Sequence, residues 1–154
     1  MRRTVQQSVV IIAGSAVLAL AVNAVSPHRI PLMTPPKPVL QASEVVTLVE
    51  ARPLWETGVG MFLDARSPAD YAAGHIPNAI SLPAEAFDQT YPRVAPMLTP
   101  DTAIVVYCSG LECDLSHEVM AKLRPFGYKN VRLLVDGWGI WGKAKLPTKT
   151  GEQP

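Results

Sequence analysis

Residues 103–110 read Ala-Ile-Val-Val-Tyr-Cys-Ser-Gly. Five apolar residues in succession, three of them β-branched, predict a strand over 103–107 that is buried on both faces. Two small residues follow, and residues 115–126 then set Leu115, Val119, Met120 and Leu123 on one side of a helix that closes at Gly127. Cys108 therefore stands between a strand end and a helix start. In parallel sheets, ligands bind beyond the carboxyl ends of strands. Backbone amides at a helix N-terminus also lower a thiol pKa and hold anions. Cys108 is thus a candidate reactive sulfur, with a small buried hydrophobe as the alternative.

Outward from that centre, the same grammar repeats. Residues 61–65, 79–82 and 131–135 are further short apolar runs that predict strands. Between them, Ser43 caps a helix over 44–51, and Ser67 with Pro68 starts one that ends at Gly74. Helical stretches over 84–94 and 137–142 complete the set. Apolar strands alternating with amphipathic helices predict an α/β fold with a mostly parallel sheet covered on both faces.

The N-terminus has a different character. Arg2 and Arg3 precede an almost wholly apolar run over 9–25, which predicts an N-terminal apolar helix. Residues 5–25 fit a membrane signal-anchor. They equally fit a secretory signal cleaved after Ala24, since Val22-Asn23-Ala24 offers small residues. The first reading puts the chain in the inner (cytoplasmic) membrane, single-pass, with its domain on the exported side; the second makes it periplasmic or secreted. Five prolines in residues 26–38 predict an extended, semi-rigid linker. The organisation expected is a targeting segment over 1–25, the linker over 26–38, one domain over 39–147 and a tail over 148–154.

A net charge of +1 over 154 residues gives no basis for nucleic-acid binding. Two cysteines, Cys108 and Cys113, make a poor zinc site, and neither a metal nor a cofactor is expected. Export would permit a disulfide between them.

Two longer stretches carry a family resemblance. Residues 62–83, FLDARSPADYAAGHIPNAISLP, place Asp64-x-Arg66 at a strand end and then Gly74-His75-Ile76-Pro77. Residues 104–141 run from VVYCSG through FGYKNV to LLVDGWGIW. Over residues 39–147 the chain resembles the rhodanese-like domain family. The resemblance implies a central sheet of about five strands with helices on both faces. It also implies that Cys108 carries a sulfane sulfur as a persulfide, held by the loop amides of Ser109, Gly110, Leu111 and Glu112. Asp64 and Arg66 are expected as a supporting ion pair, His75 as a tie between loops, and Trp138 and Trp141 as packing. The partners implied are a small sulfur donor, a thiol acceptor, or a partner protein.

The loop departs from a typical sulfurtransferase pattern. Cys113 stands where an arginine is usual, and residues 109–114 carry Glu112 and Asp114 with no Lys or Arg. This argues against easy turnover of thiosulfate. Cys113 could resolve a Cys108 persulfide or sulfenic acid into a disulfide. It could instead form a permanent staple, or simply pack at the helix start. An enzyme moving sulfur or disulfide equivalents and a non-catalytic binding module tethered to the membrane both remain open.

Overall fold

The computed structural model describes residues 2–26, 40–110 and 114–154. Two compact units divide the chain, Met1–Lys37 and Pro38–Pro154. The first contains helix α1 (Arg2–Val25). Its segment Val5–Val25 has 21 residues and a mean hydropathy of 2.3. At about 1.5 Å per residue that is about 32 Å, against a hydrocarbon core of about 30 Å. Among the described residues it is the one helix long and apolar enough to cross a membrane. The Ser15 hydroxyl donates to the Ile11 carbonyl at 2.8 Å, so this polar group is satisfied within the helix. Beyond Ser26, the expected linker lies outside the described residues.

The second unit runs α2 (Leu48–Glu56), β1 (Gly60–Asp64), α3 (Pro68–Ala73), β2 (Ile80–Ser81), α4 (Phe87–Val94), β3 (Ala103–Tyr107), α5 (Asp114–Leu123), β4 (Asn130–Leu134) and α6 (Gly137–Lys143). The strands form a wholly parallel sheet in the order β2-β1-β3-β4. Among the described residues it has four strands where about five were expected. A single bridge from Val45 to Leu133 adds one residue beyond β4, too little to make a fifth.

That bridge also corrects the start of the first domain helix. Ser43 lies in a 3-10 turn over Ala42–Glu44, and the N–H of Val46 donates to the Leu133 carbonyl at 2.9 Å. Val46 is buried, so the chain must reach the sheet edge before it can turn helical. Thr47 is the actual cap: its hydroxyl accepts from the Glu50 N–H, and the Glu50 carboxylate accepts from the Thr47 N–H at 2.9 Å. This is a reciprocal capping box. Ser67 caps α3 as expected, accepting from the Asp70 N–H at 3.1 Å.

Strand alternation sorts the core into two layers. Leu63, Ile104, Val106 and Leu133 face α4 and α5, meeting Phe87, Val94, Val119, Met120 and Leu123. Phe62, Val105, Tyr107 and Leu134 face the other way, meeting Ala51 of α2 and Trp141 of α6. Trp141 is fully buried, edge-on to Trp55 with ring centroids 5.2 Å apart. By the same parity Cys108 continues the series of Ile104 and Val106, onto the α5 side. β3 is central and loses almost all contact with water, which is why it has no polar face.

Candidate active site

The carboxyl ends of β1, β3 and β4 are laced together by main-chain bonds. The Ala65 N–H donates to the Tyr107 carbonyl at 2.9 Å, and the Trp138 N–H to the Cys108 carbonyl at 3.0 Å. Cys108 is thereby fixed from both sides of its strand.

Cys108 is 2% exposed. Its sulfur lies 3.2 Å from the hydroxyl of Ser116, itself buried in the first turn of α5. A hydroxyl at that distance can donate to a thiolate, and the N-terminal end of the ten-residue helix favours negative charge nearby. Gly110 takes a left-handed conformation with φ +89, which turns the loop after Ser109. Its N–H donates to Oδ1 of Asp136 at 2.8 Å. Leu111, Glu112 and Cys113, the rest of the expected loop, lie outside the described residues.

Asp64 and Arg66 form a buried, two-pronged ion pair. Arg66 Nε donates to Asp64 Oδ1 at 2.9 Å and its Nη2 to Oδ2 at 2.6 Å. The same Nη2 donates to the Gly74 carbonyl at 2.7 Å. The guanidinium also lies over the Trp138 ring, 4.5 Å from its centroid. Burial by itself would lower the Arg66 pKa; the hydrogen bonds and charge of Asp64 more than reverse this. Arg66 is therefore a cation already neutralised, tying β1 to the turn before β2 and to α6.

His75 is fully buried. Its ring stacks on Tyr71 with centroids 3.8 Å apart, and Nδ1 is 2.9 Å from the Tyr71 carbonyl. Its main chain exchanges both hydrogen bonds with Lys149, at 2.8 and 2.9 Å, and the Gly151 N–H donates to the Ala72 carbonyl at 2.9 Å. His75 sits in a joint between α3 and residues 149–151. Trp138 and Trp141 lie where packing was expected.

Three contributors escaped the sequence reading. Ser116 was visible as a serine at a helix start, but its reach to sulfur depended on where α5 begins. Asp136 looked like a turn residue after a strand, and nothing along the chain couples it to Gly110, 26 positions earlier. Tyr107, read as a strand residue, accepts at its hydroxyl from the Ile76 N–H at 3.2 Å.

A rhodanese-like domain model matches residues 46–144. The chain belongs to the rhodanese-like domain family. Over 109 residues this rhodanese-like domain is 37% identical to the HTH-type transcriptional regulator Rv0324 of Mycobacterium tuberculosis, covering 70% of this chain and 46% of that protein. It is 38% identical over 74 residues to a tRNA uridine(34) hydroxylase of Photorhabdus laumondii, covering 46% of this chain and 20% of that one. The crystal structure of a thiosulfate sulfurtransferase from Pseudomonas aeruginosa superposes with a TM-score of 0.57 at 26% identity, over 71% of this chain and 21% of that one. The chain spans less than half the length of these curated relatives. Homology to sulfurtransferases and the α/β fold with an N-terminal apolar helix are thus established together.

Two consequences of the geometry can be measured. A Cβ on Gly137 would lie 2.6 Å from the Cβ of Tyr107, so the start of α6 approaches β3 this closely because residue 137 has no side chain. Gly137→Ala is expected to destabilise the fold by about 1–3 kcal/mol, read from the denaturant midpoint. The second concerns alkali. Burial, then the charge of Asp64, pushes the Tyr71 phenol up to about 12, and the same two causes raise Tyr107. In the unfolded chain a tyrosine ionises near 10. Above that pH the unfolded state binds fewer protons than the folded one, so stability falls as pH rises from about 10 to about 12. Denaturant midpoints in that window should drop as tyrosinate absorbance appears.

Proposed function

We propose that this domain carries sulfane sulfur on Cys108 as a persulfide and passes it to a thiol acceptor, with Cys113 as resolving cysteine. The observation that carries this reading is the sulfur of Cys108 at the end of β3, 3.2 Å from the buried Ser116 hydroxyl in the first turn of α5. In the resolving step, the Cys113 thiolate attacks the inner sulfur of the Cys108 persulfide. The sulfur–sulfur bond breaks, hydrosulfide leaves with the electron pair, and a Cys108–Cys113 disulfide remains. The redox form of the same reading cycles that disulfide without a persulfide.

The site is further proposed to work on the exported side of the cytoplasmic membrane, anchored by residues 5–25, or in the periplasm after cleavage at Ala24. The hydropathy of α1 and the Arg2-Arg3 start support this placement. A second reading is a non-catalytic binding module held at the membrane. One observation favours it: residues 109–114 contain two acids and no base.

Intact mass of the full chain separates these readings. The protein is reduced, then exposed in turn to thiosulfate and to cysteine persulfide. One added sulfur atom at any time in the exposure establishes a carrier, loss of two hydrogens with no sulfur-loaded form before it a redox pair, and no change the binding module. The same spectrum shows whether residues 1–24 have been removed.

A further inference from the structure

A wholly parallel sheet has two unlike ends. Cys108 follows the carboxyl end of β3, while Gly60, Ala103 and Asn130 stand side by side at the amino ends of β1, β3 and β4. Among the described residues of the second unit, the large apolar side chains left exposed are Val49, Val59, Met97 and Phe126. Three of these belong to the turns that feed the amino ends. Val59 directly precedes β1, Met97 lies in the turn before β3, and Phe126 in the turn before β4. They are 65%, 53% and 51% exposed. The strand register therefore gathers them at one end of the sheet. Val49 is apart from them: it sits in the first turn of α2, and it is the last turn of that helix that leads to Val59.

Phe126 is propped from beneath. Its ring lies against Tyr91 with centroids 4.3 Å apart, and Tyr91 stacks on the buried Phe87 at 5.0 Å. The Tyr91 hydroxyl is 2.7 Å from that of Tyr128. Cations stand at the same end, where Arg124, Lys129 and Arg132 line a groove of about 300 Å³. Arg124 pairs with Glu44 and Lys129 with Asp101, but exposed pairs of this kind are weak and exchange partners readily. The chain also enters the domain here. Val45 pairs in parallel with Leu133, so residues 40–44 run up from this end, and Leu40 packs on the core. Residues 27–39, thirteen in all, separate Leu40 from Ser26 and reach no further than about 47 Å.

We infer that the amino end of the sheet docks on the surface of an anionic phospholipid bilayer, with Val59, Met97 and Phe126 at the interface and Arg124, Lys129 and Arg132 against the phosphates. The inference rests on the membrane-anchor reading of residues 5–25. Exposed apolar side chains rimmed by polar groups mark interaction surfaces, and bases near a bilayer are drawn to anionic headgroups. A weak second attachment close to an anchor also acts at high local concentration, so modest contacts suffice. β3 carries the chain about 17 Å from this end to Cys108. The docked domain therefore holds Cys108 off the lipid, toward acceptors that arrive through water.

The test is lipid photolabelling of the full chain in vesicles of phosphatidylethanolamine and phosphatidylglycerol. A phospholipid with a diazirine at the top of its acyl chain supplies the label, and peptide fragmentation reads which residues carry it. Label is expected within residues 5–25 and at or beside Val59, Met97 and Phe126, with Val49 at background. Phe126→Asp should lower the label at Val59 and Met97, which it leaves unaltered, by at least about fivefold, and Phe126→Leu should keep it. A melting curve shows that each variant is folded; Val59→Asp, in a separate turn, repeats the test if Phe126→Asp is not. Vesicles without phosphatidylglycerol should show a similar fall, and equal label there would overturn the headgroup contact. Label within 5–25 alone, or spread over the domain with Val49 included, overturns the docking and spares the anchor. Cross-links between copies at Phe126 in place of lipid overturn the docking as well. No label anywhere in the chain overturns both.

Discussion

Cys108→Ser should take up no sulfur from either thiosulfate or cysteine persulfide, at any exposure that loads the wild type. In the sulfur-carrier reading the Cys108 thiolate is the attacking group, and a serine hydroxyl near neutral pH offers no comparable nucleophile. The substitution is otherwise mild. Residue 108 keeps its main-chain bond from Trp138, and a serine oxygen retains a partner in the Ser116 hydroxyl. Burying that hydroxyl in the layer with Val106 and Val119 should cost about 1–3 kcal/mol if its bond is imperfect, which a melting curve separates from loss of chemistry. Cys113→Ser gives the contrast. It should still gain one sulfur and should hold it longer, because the proposed resolving thiol is gone. Undiminished uptake in Cys108→Ser would move the sulfur site elsewhere in the chain.

Removal of one half of the Asp64–Arg66 pair is the largest stability effect expected. The side chain of Asp64 is fully buried and that of Arg66 is 5% exposed. Asp64→Ala leaves a guanidinium enclosed against Tyr107 and Trp138 with the Gly74 carbonyl as its remaining acceptor among the described residues. Breaking a buried pair in this way costs about 3–5 kcal/mol, since the surviving charge loses its compensation. The denaturant midpoint of the full chain reads it. A loss under about 1 kcal/mol for Asp64→Ala would mean that water reaches the pair.

Much of this fold is legible along the chain because the signals are local. Residues 103–107 can bury both faces only in a central strand, and Ser67-Pro68 with Asp70 spells a helix start in four residues. Where the sequence misled, a distant partner had intervened. Ser43 is as good a cap as Thr47, but Val46 is drawn to the Leu133 carbonyl and moves the helix start beyond it. The site divides along the same line. Cys108 follows the strongest strand and announces itself. The Asp136 carboxylate meets Gly110 across 26 positions, and Ser116 meets sulfur across a loop, so neither partnership has a local signature. The Asp64–Arg66 pair is two residues apart and could be read; its third bond, to Gly74, could not.

The pairing of residues 149 and 151 with His75 and Ala72 bears on how the molecule is made. The joint at His75 lies in the first half of the chain, yet its closing hydrogen bonds come from residues synthesised more than seventy positions later. A ribosome, or a translocation pore delivering the chain amino end first, hands over Cys108 before it hands over the segment that closes this joint. The last stitches at His75 thus form only after Cys108 has left the site of synthesis.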